Sequence, residues 1–159
     1  LDNFEGAKKK NREACEKMLI GSFLAGYSFN NAGVGAVHAL AYPLGADLHI
    51  PHGLINAALF PFVLNHNYIK NKKSGEILTV INKLKKKFGD NWFEGLLEFL
   101  KKNNIYEYLI RFHFNNNDID SYAEKAFDIK RLLNNNYVNI DTVDEIAEIY
   151  KEVFNLLNE

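Results

Sequence analysis

Between residues 8 and 27 apolar side chains fall at Ala14, Met18, Leu19, Phe23, Leu24 and Tyr27, with lysine and glutamate between them. This is close to the i, i+4, i+5 spacing of one buried helix face. It predicts a helix lapped by solvent at its start and fully buried towards its end, where Gly21, Ser22, Ala25 and Gly26 would let another helix approach. From Asn31 to Tyr42 the pattern changes: almost every residue is apolar or small, and none is charged. A segment with no polar face predicts a helix through the middle of a domain, supported by packing because each glycine costs about 1 kcal/mol relative to alanine. Pro43 and Gly45 are expected to end it, since proline disfavours helical geometry at the residue before it and glycine accepts a left-handed turn. Asp47 to Ile50 reads as a short loop. Pro51 then suits a first helical position, and a helix follows through Leu54, Ala57 and Ala58 to about Leu64, kinked or shifted by Pro61.

The rest of the chain is more regular. Ser74 to Phe88 places Ile77, Leu78, Ile81, Leu84 and Phe88 on one face and Lys83, Lys86 and Lys87 on the other. Asp90 is a candidate N-cap for a helix that opens on Trp92 and Phe93, continues through Leu96, Leu97 and Leu100, and closes at Asn103 and Asn104. Ile105 to Phe114 alternates like a strand at Tyr106, Tyr108, Ile110 and Phe112, yet no second strand exists to pair with it, so a helical or irregular segment is expected. Asp118 would cap a helix through Tyr122, Ala126, Ile129 and Leu133. Thr142 and Glu145 have the form of a capping box opening a final helix with Ile146, Ile149, Tyr150, Val153, Phe154 and Leu157 inward. With no internal repeat and no long linker, the expectation is one all-α domain over residues 1–159.

Composition narrows the function classes. A chain with 47% hydrophobic and 25% charged residues and a formal charge of -1 is that of a globular protein with no field for gathering nucleic acid or anionic lipid. The single Cys15 excludes an internal disulfide and a cysteine-rich zinc site. No apolar run reaches the roughly 18 residues of a membrane span, and no signal-peptide pattern opens the chain, so a cytoplasmic address is expected. The chain begins at Leu1, which suggests that upstream residues were removed or left out. The asparagine runs 115–117 and 134–136 read as compositional drift on loops.

Candidate chemistry concentrates between Phe29 and Pro61, which hold His38, His49 and His52, four of the ten glycines and all three prolines. His38 and His52 are separated by a helix stop, a loop and a helix start, so the chain can bring both imidazoles to one point. Imidazole suits iron, zinc, copper and nickel, and such ions take two or three of these ligands together with a carboxylate. Two histidines alone make half a site. The residues equally allow His38 to be a core histidine bonded to a backbone carbonyl and His52 a helix-start residue. His49 reads as a solvated loop residue, His66 and His113 as surface residues, and Asp47 as a loop or capping carboxylate. Tyr42, four residues after His38, shares its helix face. Its phenol could relay a proton or simply pack at a helix end.

The run Ala25-Gly26-Tyr27-Ser28-Phe29, Asn31-Ala32-Gly33, His38 through Gly45, Pro51-His52-Gly53 and Asn56-Ala57 resembles the signature of the iron-containing (group III) alcohol dehydrogenases. A weaker likeness continues through Arg131-Leu132-Leu133 to the last helix. The resemblance implies the later part of the C-terminal helical domain of a dehydroquinate synthase-like fold, without the N-terminal α/β dinucleotide-binding domain. It implies an oxidoreductase that interconverts alcohols with aldehydes or ketones, using NAD or NADP and a divalent metal, Fe2+ first and Zn2+ second. His38 and His52 match two metal ligands, Phe29 a position lining the substrate pocket, and the family's earlier aspartate and histidine ligands have no counterpart. Tyr42 stands where some members carry histidine, which opens a likeness to the hydroxyacid-oxoacid transhydrogenases. Such a chain alone would be inactive, and its uncovered apolar surface would invite the missing domain or self-association. The alternative is a free-standing, non-catalytic metal-binding or interaction module.

Overall fold

The computed structural model describes residues 2–158, which form ten α-helices and one 3-10 turn with no strand among them. They divide into two compact units between Val34 and Gly35.

The first unit holds α1 (Phe4–Lys8) and α2 (Arg12–Ala32), packed on each other. The expected helix start at Lys8 is displaced. Lys10 takes a left-handed conformation (φ 59°), and Asn11 caps α2 by accepting from Ala14 N at 3.0 Å. Beyond the expected end at Tyr27, α2 continues to Ala32 and is stopped by Gly33, whose φ of 76° a side chain would resist. The expectation that α2 becomes fully buried is corrected: Ala14 is its one buried residue, while Leu19, Phe23 and Tyr27 are 72%, 71% and 68% exposed.

The second unit comprises α3 (Ala36–Leu48), α4 (His52–Lys70), α5 (Gly75–Phe88), α6 (Trp92–Lys102), α7 (Ile105–Ile110), α8 (Ile119–Phe127), α9 (Lys130–Leu133) and α10 (Val143–Leu157). Helix α3 packs against α4, α8 and α9, and α10 crosses α8, α4 and α7. Ala36, Ala39, Leu40, Ala41 and Leu44 of α3 are each no more than 1% exposed, as expected for a helix without a polar face. Helices α5 and α6 close a second apolar cluster of Leu64, Ile77, Ile81, Leu84, Trp92 and Leu96.

Pro43 and Gly45 do not end α3, which runs on to Leu48 and stops at His49 in the left-handed region (φ 55°). The proline ring brings no N–H for Ala39 O and crowds that carbonyl, a defect that usually breaks a helix. Here burial on several sides holds the helix together, and the fully buried Tyr150 hydroxyl donates to Leu40 O, three residues before the proline, at 2.6 Å. Asp47 therefore lies in the last turn of α3, where it pairs with Lys125 of α8 at 2.5 Å. Pro61 likewise sits inside α4, which extends to Lys70.

Smaller corrections concern caps. Pro51 precedes α4 as its cap position, one residue before the helix begins. Asp90 caps nothing and lies near Lys85 at 3.5 Å, while Asn91 stands at the cap position. Asp118 stands at the cap position of α8 as expected, without a side-chain cap bond, and also ends the 3-10 turn Asn116–Asp118, while the helix expected to run to Leu133 breaks after Phe127. The segment from Ile105 is helical, in keeping with the lack of a strand partner. The Thr142 cap forms: Glu145 N donates to Thr142 Oγ1 at 3.3 Å, while Glu145 Oε1 accepts from Asp141 N, one residue before the cap, at 3.4 Å.

Candidate functional site

The N-terminal part of α3 and the first residue of α4 carry the candidate chemistry. His38 lies in the first turn of α3 and Tyr42 one turn further on the same face. His52 opens α4. The chain reverses at His49, and Ile50, 4% exposed, anchors the connection in the core. The Asp47–Lys125 pair links the last turn of α3 to α8.

Three rings meet as a result. The His38 and His52 centroids are 5.1 Å apart with planes inclined by 53°. Tyr42 stands edge-on to His38 at 6.4 Å and tilted by 31° to His52 at 6.0 Å. His38 is half-buried, His52 is exposed, and Tyr42 is 43% exposed in mid-helix, not packed at a helix end. Burial holds the His38 imidazole below its ordinary pKa, and the neighbouring His52 adds to the effect. The proton-free form that presents a nitrogen lone pair is thereby favoured.

Asn56, one turn into α4, bonds to His52: its Nδ2 lies 2.8 Å from His52 Nε2. Its Oδ1 is buried with no hydrogen-bond partner. A buried amide oxygen held beside an imidazole and without a donor of its own fits a polar group entering from outside this chain. The sequence marks Asn56 only as part of the signature. Its spacing from His52 was the available signal, since i and i+4 share a helix face.

Imidazoles on converging helices suit a borderline divalent cation as two of its ligands. Among the described residues no group of three or more His, Cys, Asp and Glu side chains could hold a metal ion. Phe29 lies on α2 in the first unit and is 57% exposed. His49 is exposed and serves the reversal, and His113 is exposed as expected. His66 departs from expectation: it is half-buried, with Nε2 3.1 Å from Glu145 Oε2. No helix among the described residues is long and apolar enough to cross a membrane.

Residues 3–154 match the family described as "Fe-containing alcohol dehydrogenase family, C-terminal". The 4-hydroxybutyrate dehydrogenase of Clostridium kluyveri is 33% identical over 145 residues, covering 89% of this chain and 39% of that protein. The 1,3-propanediol dehydrogenase of Klebsiella pneumoniae is 49% identical over 61 residues, covering 38% of this chain and 16% of that protein. A solved 1,3-propanediol oxidoreductase superposes with a TM-score of 0.70 at 28% identity, covering 91% of this chain and 39% of that one. The chain thus spans about two fifths of the length of the relatives it matches most extensively.

Proposed function

The chain belongs to the Fe-containing alcohol dehydrogenase family, and from that premise we propose that it is the C-terminal helical part of a metal-dependent, NAD(P)-linked oxidoreductase acting on small alcohols and aldehydes. The observation that carries this reading is the convergence of His38 and His52 at 5.1 Å. These two imidazoles are proposed as half of a metal site for Fe2+, with Zn2+ as the second choice. The remaining ligands and the nucleotide-binding domain would come from outside these residues.

When bound, such a metal supplies Lewis-acid polarisation of the substrate oxygen, and the nicotinamide carries the hydride. The chain's own residues supply the rest. Burial lowers the His38 pKa and favours a free ring lone pair, while His52 Nε2, 2.8 Å from Asn56 Nδ2, would exchange that contact for one to the metal. The Tyr42 phenol, at 6.0 Å from the His52 ring, is placed to donate a hydrogen bond to an alcohol or carbonyl oxygen beside them. Phe29 is assigned to the wall of the substrate pocket by its place in the signature. Two relatives are named for 4-hydroxybutyrate and 1,3-propanediol, which makes short hydroxy compounds the first substrates to test.

Titration of the chain with Zn2+, followed through the imidazole resonances, tests the ligand assignment. His38 and His52 are expected to shift together, and either substitution, His38→Ala or His52→Ala, should abolish the response of the other. With NAD or NADP and 1,3-propanediol, the chain alone should show no turnover. A Zn2+ response confined to His49, His66 or His113 would overturn the assignment.

A further inference from the structure

Gly33, Val34 and Gly35 lead into α3, and Gly35 offers no side chain to cap it. The first turn of a helix has N–H groups without intrahelical partners and opens readily unless they are met. Here one is met from far along the chain. Ala36 N donates to Oδ1 of Asn136 at 3.3 Å, across 100 residues. The same amide is locked to α4: Asn136 Nδ2 donates to Asn67 Oδ1 at 2.9 Å, and Asn67 Nδ2 returns a bond to Asn136 Oδ1 at 3.4 Å. Asn136 Nδ2 also donates to Val138 O at 2.7 Å, which holds its own loop in place. Asn67 is 8% exposed, so its amide has little water to turn to. The approach is close: a Cβ at Gly35 would stand 3.1 Å from Asn136 Oδ1 and 3.3 Å from its Cα, so Asn136 would have to give way by a few tenths of an ångström.

One side chain therefore joins the start of the helix that carries His38 to the helix that carries His52, without touching either ring. We propose that Asn136 is a positioning residue for the histidine pair: it fixes the first turn of α3 against α4 and so fixes where His38 stands relative to His52. This rests on the reading of His38 and His52 as metal ligands. A ligand pair has to be held within about 0.5 Å of its binding geometry, and the support is most needed where a ligand sits in a helix's first turn after a glycine-rich lead.

The test uses the full chain with Zn2+ alone, comparing wild type with Asn136→Ala and Ile81→Ala. Ile81 lies in α5, and although its cluster includes Leu64 of α4 and has Val138 packed against it, its truncation lowers stability while removing no hydrogen bond of the Asn136–Asn67 pair. Asn136→Ala is expected to weaken Zn2+ binding at His38 and His52 about tenfold or more. It should also speed hydrogen exchange at the Ala36 amide, while Ile81→Ala binds Zn2+ as wild type does. Equal weakening in both variants, or none in Asn136→Ala, would overturn the proposal and leave the ligand reading standing. A wild-type chain whose His38 and His52 signals ignore Zn2+ would overturn both. Should Asn136→Ala fail to fold, Asn136→Ser, which keeps a hydroxyl but not the reach, is read by the same two measurements.

Discussion

Helices α2 and α3 are built from similar material and end in opposite surroundings. Each carries small residues among apolar ones: Gly21, Ser22, Ala25 and Gly26 in α2, and Ala36, Ala39, Ala41 and Gly45 in α3. In α3 the small residues lie against neighbouring helices, and its inward residues are all but inaccessible. In α2 only Ala14 is buried and the aromatic side chains stand out. Small residues permit close approach but do not supply the surface that approaches. In α3 that surface comes from α4, α8 and α9, which lie later in sequence.

The largest expected effect measures that difference directly. Leu40→Ala in α3 should cost about 3 kcal/mol in urea unfolding, since it removes a fully buried side chain and leaves a cavity. Leu24→Ala in α2, where the residue is 57% exposed, should change stability by less than about 0.5 kcal/mol. Comparable losses at the two positions would show that α2 is covered in solution, and the contrast would fail.

A smaller effect probes the partner that α3 has. Tyr150→Phe removes the hydroxyl that donates to Leu40 O beside Pro43 and should cost about 1 kcal/mol. Burial already pushes that phenol's pKa upward, so the protonated donor is the form present throughout the measurable range. Tyr27→Phe, on the exposed aromatic face of α2, should have no measurable effect by the same denaturation assay.

The smallest effect concerns charge. Where α4 meets α10, Lys70 pairs with Glu145 at 2.6 Å and His66 lies 3.1 Å from the same carboxylate oxygen. Burial lowers the His66 pKa, with the Lys70 charge adding to it, against the opposing pull of Glu145. Burial also pushes Glu145 upward, but the Lys70 hydrogen bond and charge, Asp141 N–H and His66 together hold it below its ordinary value. Groups whose pKa is depressed in the fold bind fewer protons there than in the unfolded chain, so stability falls on acidification. The melting temperature should decline first as pH drops below the ordinary histidine pKa of about 6.5, and again through the carboxylate range. His66→Gln should shrink the first step, to which His38 also contributes, and Glu145→Gln should shrink the second. In α2, Glu13 is also held down by Lys17, yet the pair is fully solvated, and Glu13→Gln should leave the profile unchanged.

Much of the fold was legible where a helix has one wet and one dry face. The periodicity of α5, α6 and α10 located all three, and Thr142 with Glu145 announced the cap that the structure contains. It was less legible at Pro43, because whether proline breaks a helix depends on what holds the helix from outside. The site was legible in part. The separation of His38 from His52 and the i, i+4 relation of Tyr42 to His38 put the three rings within reach, and their meeting requires the reversal at His49. Asn136 could not be told from its neighbours Asn134 and Asn135, since nothing in a polar run marks the one amide that turns inward.

Sequence by itself determined that the chain is helical, which faces of α5, α6 and α10 are inward, and which two imidazoles could converge, because these depend on spacing within one or two turns of a helix. Tertiary structure alone decided that α3 continues through Pro43, that α2 stands exposed, and that one asparagine bridges Ala36 and Asn67. Those outcomes depend on contacts between residues as far as 110 positions apart, as in the Tyr150 to Leu40 bond. Local periodicity carries no record of them.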